Sequence, residues 1–96
     1  MRRVLYSDVT AAARALLTIP DGARAGVCER MLVRAHYADC YTRRMGRPHP
    51  LWGNGTLLAV AWAGRMPREP GFDSDDYCRC IALVVQQIAA RRTKHL

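Results

Sequence analysis

Five residues of this chain could ligate a metal: Cys28, His36, Cys40, Cys78 and Cys80. His36 and Cys40 stand four apart, which puts a thiol and an imidazole on one turn of a helix, the side-chain pair that zinc prefers. The set is not completed. Cys78-x-Cys80 on a helix points its thiols about 200° apart, and no Cys-x2-Cys occurs. Cys78 is read as core and Cys80 as a boundary residue, and no metal is assigned. Nucleophilic catalysis is no better served. The only serines, Ser7 and Ser74, fall where helix caps are expected, and neither Gly-x-Ser-x-Gly nor His-Glu-x-x-His is present. A cysteine with His49 would make a dyad, but a histidine between two prolines reads as a turn residue. Asp73, Asp75 and Asp76 lack the spacing of a calcium loop. The expectation is a nonenzymatic protein with no cofactor.

The chemistry that remains is basic and aromatic. Arg30, Arg34, Tyr37, Tyr41 and Arg44 recur at steps of four, three, four and three, and so line up along one side of a helix. Guanidinium forks grip phosphates and carboxylates in bidentate fashion, while tyrosine rings stack on bases or cover arginine stems. The structural alternative is that the rings lie against a neighbouring helix and the arginines form a solvated face. Directly after comes Arg43 to Thr56, RRMGRPHPLWGNGT, which adds Arg43, Arg47, His49 and Trp52. It reads as a site for a phosphate or acidic group, with Arg43, Arg44 and Arg47 gathered near the amides of Gly53 to Leu57 at a helix N-terminus. The Gly-Lys-Ser/Thr ending of a nucleotide loop is absent. Read structurally, the stretch is a connector plugged by its tryptophan.

These residues need helices to hold them. The first helix is predicted from Asp8 to Thr18, capped by Ser7, with Val9, Ala12, Ala13, Leu16 and Leu17 inward. Pro20-Asp-Gly makes a tight connection. The second runs from Asp21 or Ala23 to Met45, with Gly46 as its C-cap. Its expected core face is Val27, Met31, Ala35, Ala38, Thr42 and Met45, flanked by Cys28 and Leu32. Arg47-Pro-His-Pro should be extended, Leu51 and Trp52 turn inward, and Gly53-Asn-Gly makes a turn that uses positive φ. Thr56 caps a third helix from Leu57 to Ala63, apolar on nearly every side and therefore buried. After RMPREPGF, Asp73 or Ser74 caps a fourth helix to about Arg91, its face made by Tyr77, Cys78, Ile81, Ala82, Val84, Val85, Ile88 and Ala89. The fold class is all-α, a compact four-helix bundle with a Pro/Gly/Trp loop between helices two and three, in one domain over residues 1–96.

Fifteen basic against eight acidic residues give a net charge of +7. That favours nucleic acid or an acidic protein surface as partner, although all the bases but Lys94 are Arg, as a GC-rich genome would also produce. The longest apolar run, Leu57 to Ala63, falls short of the roughly 20 residues of a membrane span. No apolar segment follows Met1-Arg-Arg as in a secretory signal, so a cytoplasmic location with reduced thiols is expected. The runs RRMGRPHPLWGNGTLLAVA and SDDYCRCIALVVQQI, with the Arg/Ala-rich opening, resemble a family of small uncharacterised alphaproteobacterial proteins. That resemblance implies no activity; it points to an association with phage or gene-transfer agents. Two functions follow as expectations. One is a nucleic-acid-associated or regulatory protein that binds polyanions through Arg30, Arg34, Tyr37, Tyr41, Arg44 and the basic loop. The other is a protein–protein adaptor whose stripe meets an acidic or aromatic partner surface. A small-ligand binder or minor enzyme comes third, and would need a pocket at Arg47, His49 and Trp52.

Overall fold

In the computed structural model, residues 2–62 and 66–94 are described. The four predicted helices form: α1 (Tyr6–Leu16), α2 (Arg24–Met45), α3 (Leu57–Trp62) and α4 (Asp75–Lys94), with a 3-10 turn at Asp21–Ala23. No strand forms among the described residues, and no helix there is long and apolar enough to cross a membrane. The three consecutive alanines Ala11, Ala12 and Ala13 are all buried. Their small size lets α1 approach its neighbours closely, and it packs most extensively against α3 and α4.

Helix α1 starts two residues before its predicted N-terminus because Asp8, not Ser7, closes it. The Asp8 Oδ2 accepts the Leu5 amide at 2.8 Å, while Oδ1 accepts the Leu58 amide of α3 at 2.9 Å. One buried carboxylate thus caps two helices. The helix also stops at Leu16, short of Thr18. There the carbonyls of Leu16 and Ile19 are taken by the Nε of Arg24, at 3.1 and 3.0 Å. The same guanidinium forks onto Asp76 at 2.7 and 3.0 Å, so one buried arginine joins α1, α2 and the first turn of α4. That bidentate pairing holds the Asp76 carboxyl below the usual aspartate range.

Helix α2 ends as predicted on Gly46, left-handed at φ 72° with its amide on Thr42. Its core face is centred one residue round from the expected one. Cys28 and Leu32 are fully buried beside Met31, Ala35 and Ala38, whereas Met45 is 48% exposed. With 22 residues against 11 in α1 and six in α3, α2 outruns these two neighbours, and Met45 in its last turn stays exposed. Helix α3 is capped by Thr56 Oγ1, which accepts the Ala59 amide at 3.1 Å and donates to Asn54 Oδ1 at 2.8 Å. It buries Leu57, Val60 and Ala61 only; Trp62 is exposed, so it is not apolar-packed all round, and Ala63 lies outside the described residues.

Ser74 caps α4 by accepting the Tyr77 amide at 3.3 Å. The inward seam is Tyr77, Cys80 and Val84, which reverses the two cysteines: Cys80 is fully buried and Cys78 is exposed, its thiol directed at the Phe72 carbonyl. Ala82, Val85 and Ala89 also face outward. The helix is apolar on too many sides for periodicity to fix its rotation. Asp76 fixes it, because engaging Arg24 brings Cys80, one turn on, against α2.

Gly55 carries the sharpest packing constraint. Its φ is 98°, and a Cβ there would lie 2.5 Å from the Asp39 Cα on α2. We predict that Gly55→Ala lowers stability by about 3 kcal/mol, read as a fall of about 15 °C in melting temperature. The thiols give a second prediction. Burial, helped by the neighbouring Cys80, pushes the Cys28 thiol up from 9.0 to about 11. A raised value favours the protonated form in the folded state, so this contribution is complete below pH 9 and is lost as pH rises through 11. The melting temperature should therefore fall across that window, less steeply in Cys28→Ala, while a thiol reagent at neutral pH labels Cys40 and Cys78 rapidly and Cys28 and Cys80 only on unfolding.

Candidate interaction face

The outer side of α2 is built together with the loop that follows it. His49 and Gly53 exchange backbone hydrogen bonds at 2.8 and 3.0 Å, which closes a five-residue loop. Inside it the His49 Nδ1 accepts the amides of Leu51 and Trp52, both at 3.1 Å. That leaves Nε2 as the protonated nitrogen of the neutral ring. Gly53, at φ 80°, lies so close to α3 that an added Cβ would sit 2.7 Å from the Ala59 Cβ. The loop is thereby pinned between α2 and α3, and its ring planes are set by its backbone.

The rings then lock onto the helix stripe. His49 stacks on Trp52 with centroids 4.7 Å apart and planes 8° from parallel. Tyr37 meets both edge-on, at 5.7 and 5.5 Å, and Tyr41 meets His49 at 4.9 Å. The Arg34 guanidinium lies over the Trp52 ring, 5.6 Å from its centroid. Each ring contact of this kind adds roughly 0.5–1.5 kcal/mol beyond area burial, so the cluster holds itself in place.

The predicted residues are only partly brought together. Arg34, Tyr37, Tyr41, His49 and Trp52 touch one another, with Arg30 and Arg44 at either end of the same face. Arg43 is drawn away, since it pairs at 3.3 Å with the buried Asp39, which also takes Arg2 at 3.8 Å. Arg47 is exposed and makes no ion pair among the described residues. The expected anion site at the start of α3 is filled from within, by the Asp8 carboxylate on the Leu58 amide. Nor does Leu51 turn inward. It is 71% exposed, because in so short a closed loop only one of two neighbours can face the core, and Trp52 takes that place. His36 Nε2 and Cys40 Sγ lie 3.8 Å apart on one turn of α2. The other cysteines are elsewhere, and among the described residues no three His, Cys, Asp or Glu side chains gather as metal ligands.

Two features of this face went unread in the sequence. Val33 is 51% exposed, so that an apolar side chain is displayed among the arginines beside the expected Tyr37, itself 55% exposed. Beside Trp52 there is a groove of about 390 Å³, walled by α1, α2, α3 and the loop; Arg34 and Leu51 line it, while Arg47 and His49 do not. A second hollow, of about 440 Å³, lies between Tyr37, Tyr41 and Arg44. The exposure of Val33 had a signal: it falls beside Arg30 and Arg34, away from the stripe of small apolar residues. The groove had none, since it depends on where the loop lands.

Residues 2–88 match the family model described as a domain of unknown function, DUF7742. No curated protein and no solved structure matches the chain. The loop gives the prediction of this section. His49→Ala removes the acceptor for two amides and the stacking partner of Trp52, and should cost about 1–2 kcal/mol. Near-ultraviolet circular dichroism of Trp52 should collapse while far-ultraviolet helicity is kept.

Proposed function

We propose that this chain, which belongs to the DUF7742 family, is a nonenzymatic interaction module that docks an acidic partner protein through the outer face of α2 and the His49–Gly53 loop. One observation carries the reading: Val33, Tyr37 and Leu51 are each more than half exposed around a self-locked cluster of Trp52, His49 and Arg34. Tryptophan, tyrosine and arginine supply most of the energy at protein interfaces, and apolar groups beside them are desolvated on docking. Rings fixed before the partner arrives reduce the ordering cost. Arg30, Arg34 and Arg44 supply charge for carboxylates, and the expected place of action is the cytoplasm. An association with phage-derived gene-transfer systems, which the sequence resemblance implies, would make the partner a component of such an assembly.

A second reading, polyanion binding, rests on the exposure of Arg30, Arg34, Arg44 and Arg47 and on the net charge of +7. Three contacts weigh against it. The Trp52 ring already carries His49 and Arg34, Asp8 takes the Leu58 amide of α3, and Asp39 holds Arg43. Trp52 and the start of α3 are thus taken, which leaves Tyr37 as the exposed ring of this face for a base and no phosphate cradle at the α3 amides.

Paired measurements separate the two. Affinity capture with cross-linking should recover an acidic protein with the natural chain and lose it with Tyr37→Ala/Leu51→Ser, a variant that keeps its helicity. Fluorescence anisotropy with labelled duplex DNA, single-stranded DNA and RNA should show weak binding that vanishes at moderate salt. Tight nucleic-acid binding that weakens about ten-fold in Arg34→Ala and in Arg44→Ala, with a steep salt slope, would put the second reading in place of the first.

A further inference from the structure

We propose that the groove beside Trp52 binds a single-chain anionic amphiphile, a carboxylate on an unbranched apolar tail of about ten carbons. This goes beyond the docking of a protein partner and does not depend on it. Val27, Met31, Val60 and Ile19 give the groove an apolar lining. An apolar cavity of about 150 Å³ accepts benzene, so a groove of 390 Å³ has room for much more than one aliphatic side chain. A tail of about ten carbons fits that volume and still leaves the head group at the open side.

The rim selects the head group. Arg34 is the sole charged residue among those lining the groove, and it makes no ion pair among the described residues. Its guanidinium is steadied over the Trp52 ring at 5.6 Å, so a carboxylate meets a fork that is already placed. The Thr18 hydroxyl, also on the lining, donates to the Ala15 carbonyl at 3.0 Å and is not available as a donor. Leu51 gives the second, independent sign. It is 71% exposed at the mouth of an apolar groove, where a side chain of that kind can close over a bound tail.

The test titrates the full chain with decanoate, decanol, decyltrimethylammonium and decyl phosphate at monomeric concentrations. The readout is the amide and indole shifts of the 1H–15N spectrum. The expected result is saturable decanoate binding, with shifts confined to the groove and the Trp52 indole, and decanol weaker on the order of ten-fold. The cationic analogue should leave the spectrum unchanged. Arg34→Gln, a surface substitution, should bring decanoate down to the decanol level, and Ala15→Met, which narrows the groove, should abolish binding of both. If Ala15→Met does not fold, Val27→Phe serves the same purpose. Equal affinity for decanoate and decanol, indifference to Arg34→Gln, or no saturable binding up to millimolar ligand overturns the proposal; tighter binding of decyl phosphate overturns the carboxylate as its head group.

Discussion

A guanidinium taken out of water costs several kcal/mol unless each of its donors is met, and Arg24 is buried to 7% exposure. Its Nε serves the Leu16 carbonyl that ends α1 and the Ile19 carbonyl just beyond, and its fork serves Asp76 at the start of α4. The arrangement solves three problems together. The last carbonyls of α1 gain a donor, the positive end of α4 gains a carboxylate held in place, and α2 gains a fixed starting point between them. It adds to the register of the Ala-rich α1, where side chains as small as Ala11–Ala13 contribute little and Asp8 holds the other end against α3. Gln87 adds a lesser tie from α4 to the Ala25 carbonyl nearby.

Three of the eight acidic residues of this basic protein are fasteners between its elements. Asp8 joins α1 to α3, Asp39 gathers Arg2 and Arg43 beneath Gly55, and Asp76 anchors α4. Positive charge is left to dominate the outer face of α2, where Arg30, Arg34 and Arg44 are exposed. The split is economical in so short a chain, in which a core made largely of Ala, Cys, Val and Leu can supply only modest hydrophobic stabilisation.

The helices were legible in the sequence because capping residues and Gly or Pro punctuation mark their ends: Gly46, Thr56 and Ser74 all act as predicted. Rotation was less legible. Where a helix is apolar on most sides, as α4 is, periodicity allows several phases, and the long-range pair from Arg24 to Asp76 selects one. The same holds for Asp8, whose place in the first turn of α1 was visible but whose second amide lies 50 residues away. At the interaction face, the alignment of Arg34, Tyr37 and Tyr41 followed from spacing alone. That His49 would complete the ring cluster, and that Leu51 would stay outside, depended on loop closure through His49 and Gly53, which sequence spacing does not encode.

The self-closed loop has a consequence for time as well as for shape. Its rings are stacked on each other and its amides are bound to the His49 ring before any encounter. A partner docking as proposed would meet no slow rearrangement between collision and contact, so its association would be set by diffusion, orientation and the steering field of the arginines. Discrimination among such partners would then fall to how long each one stays, and would be written in dissociation rates.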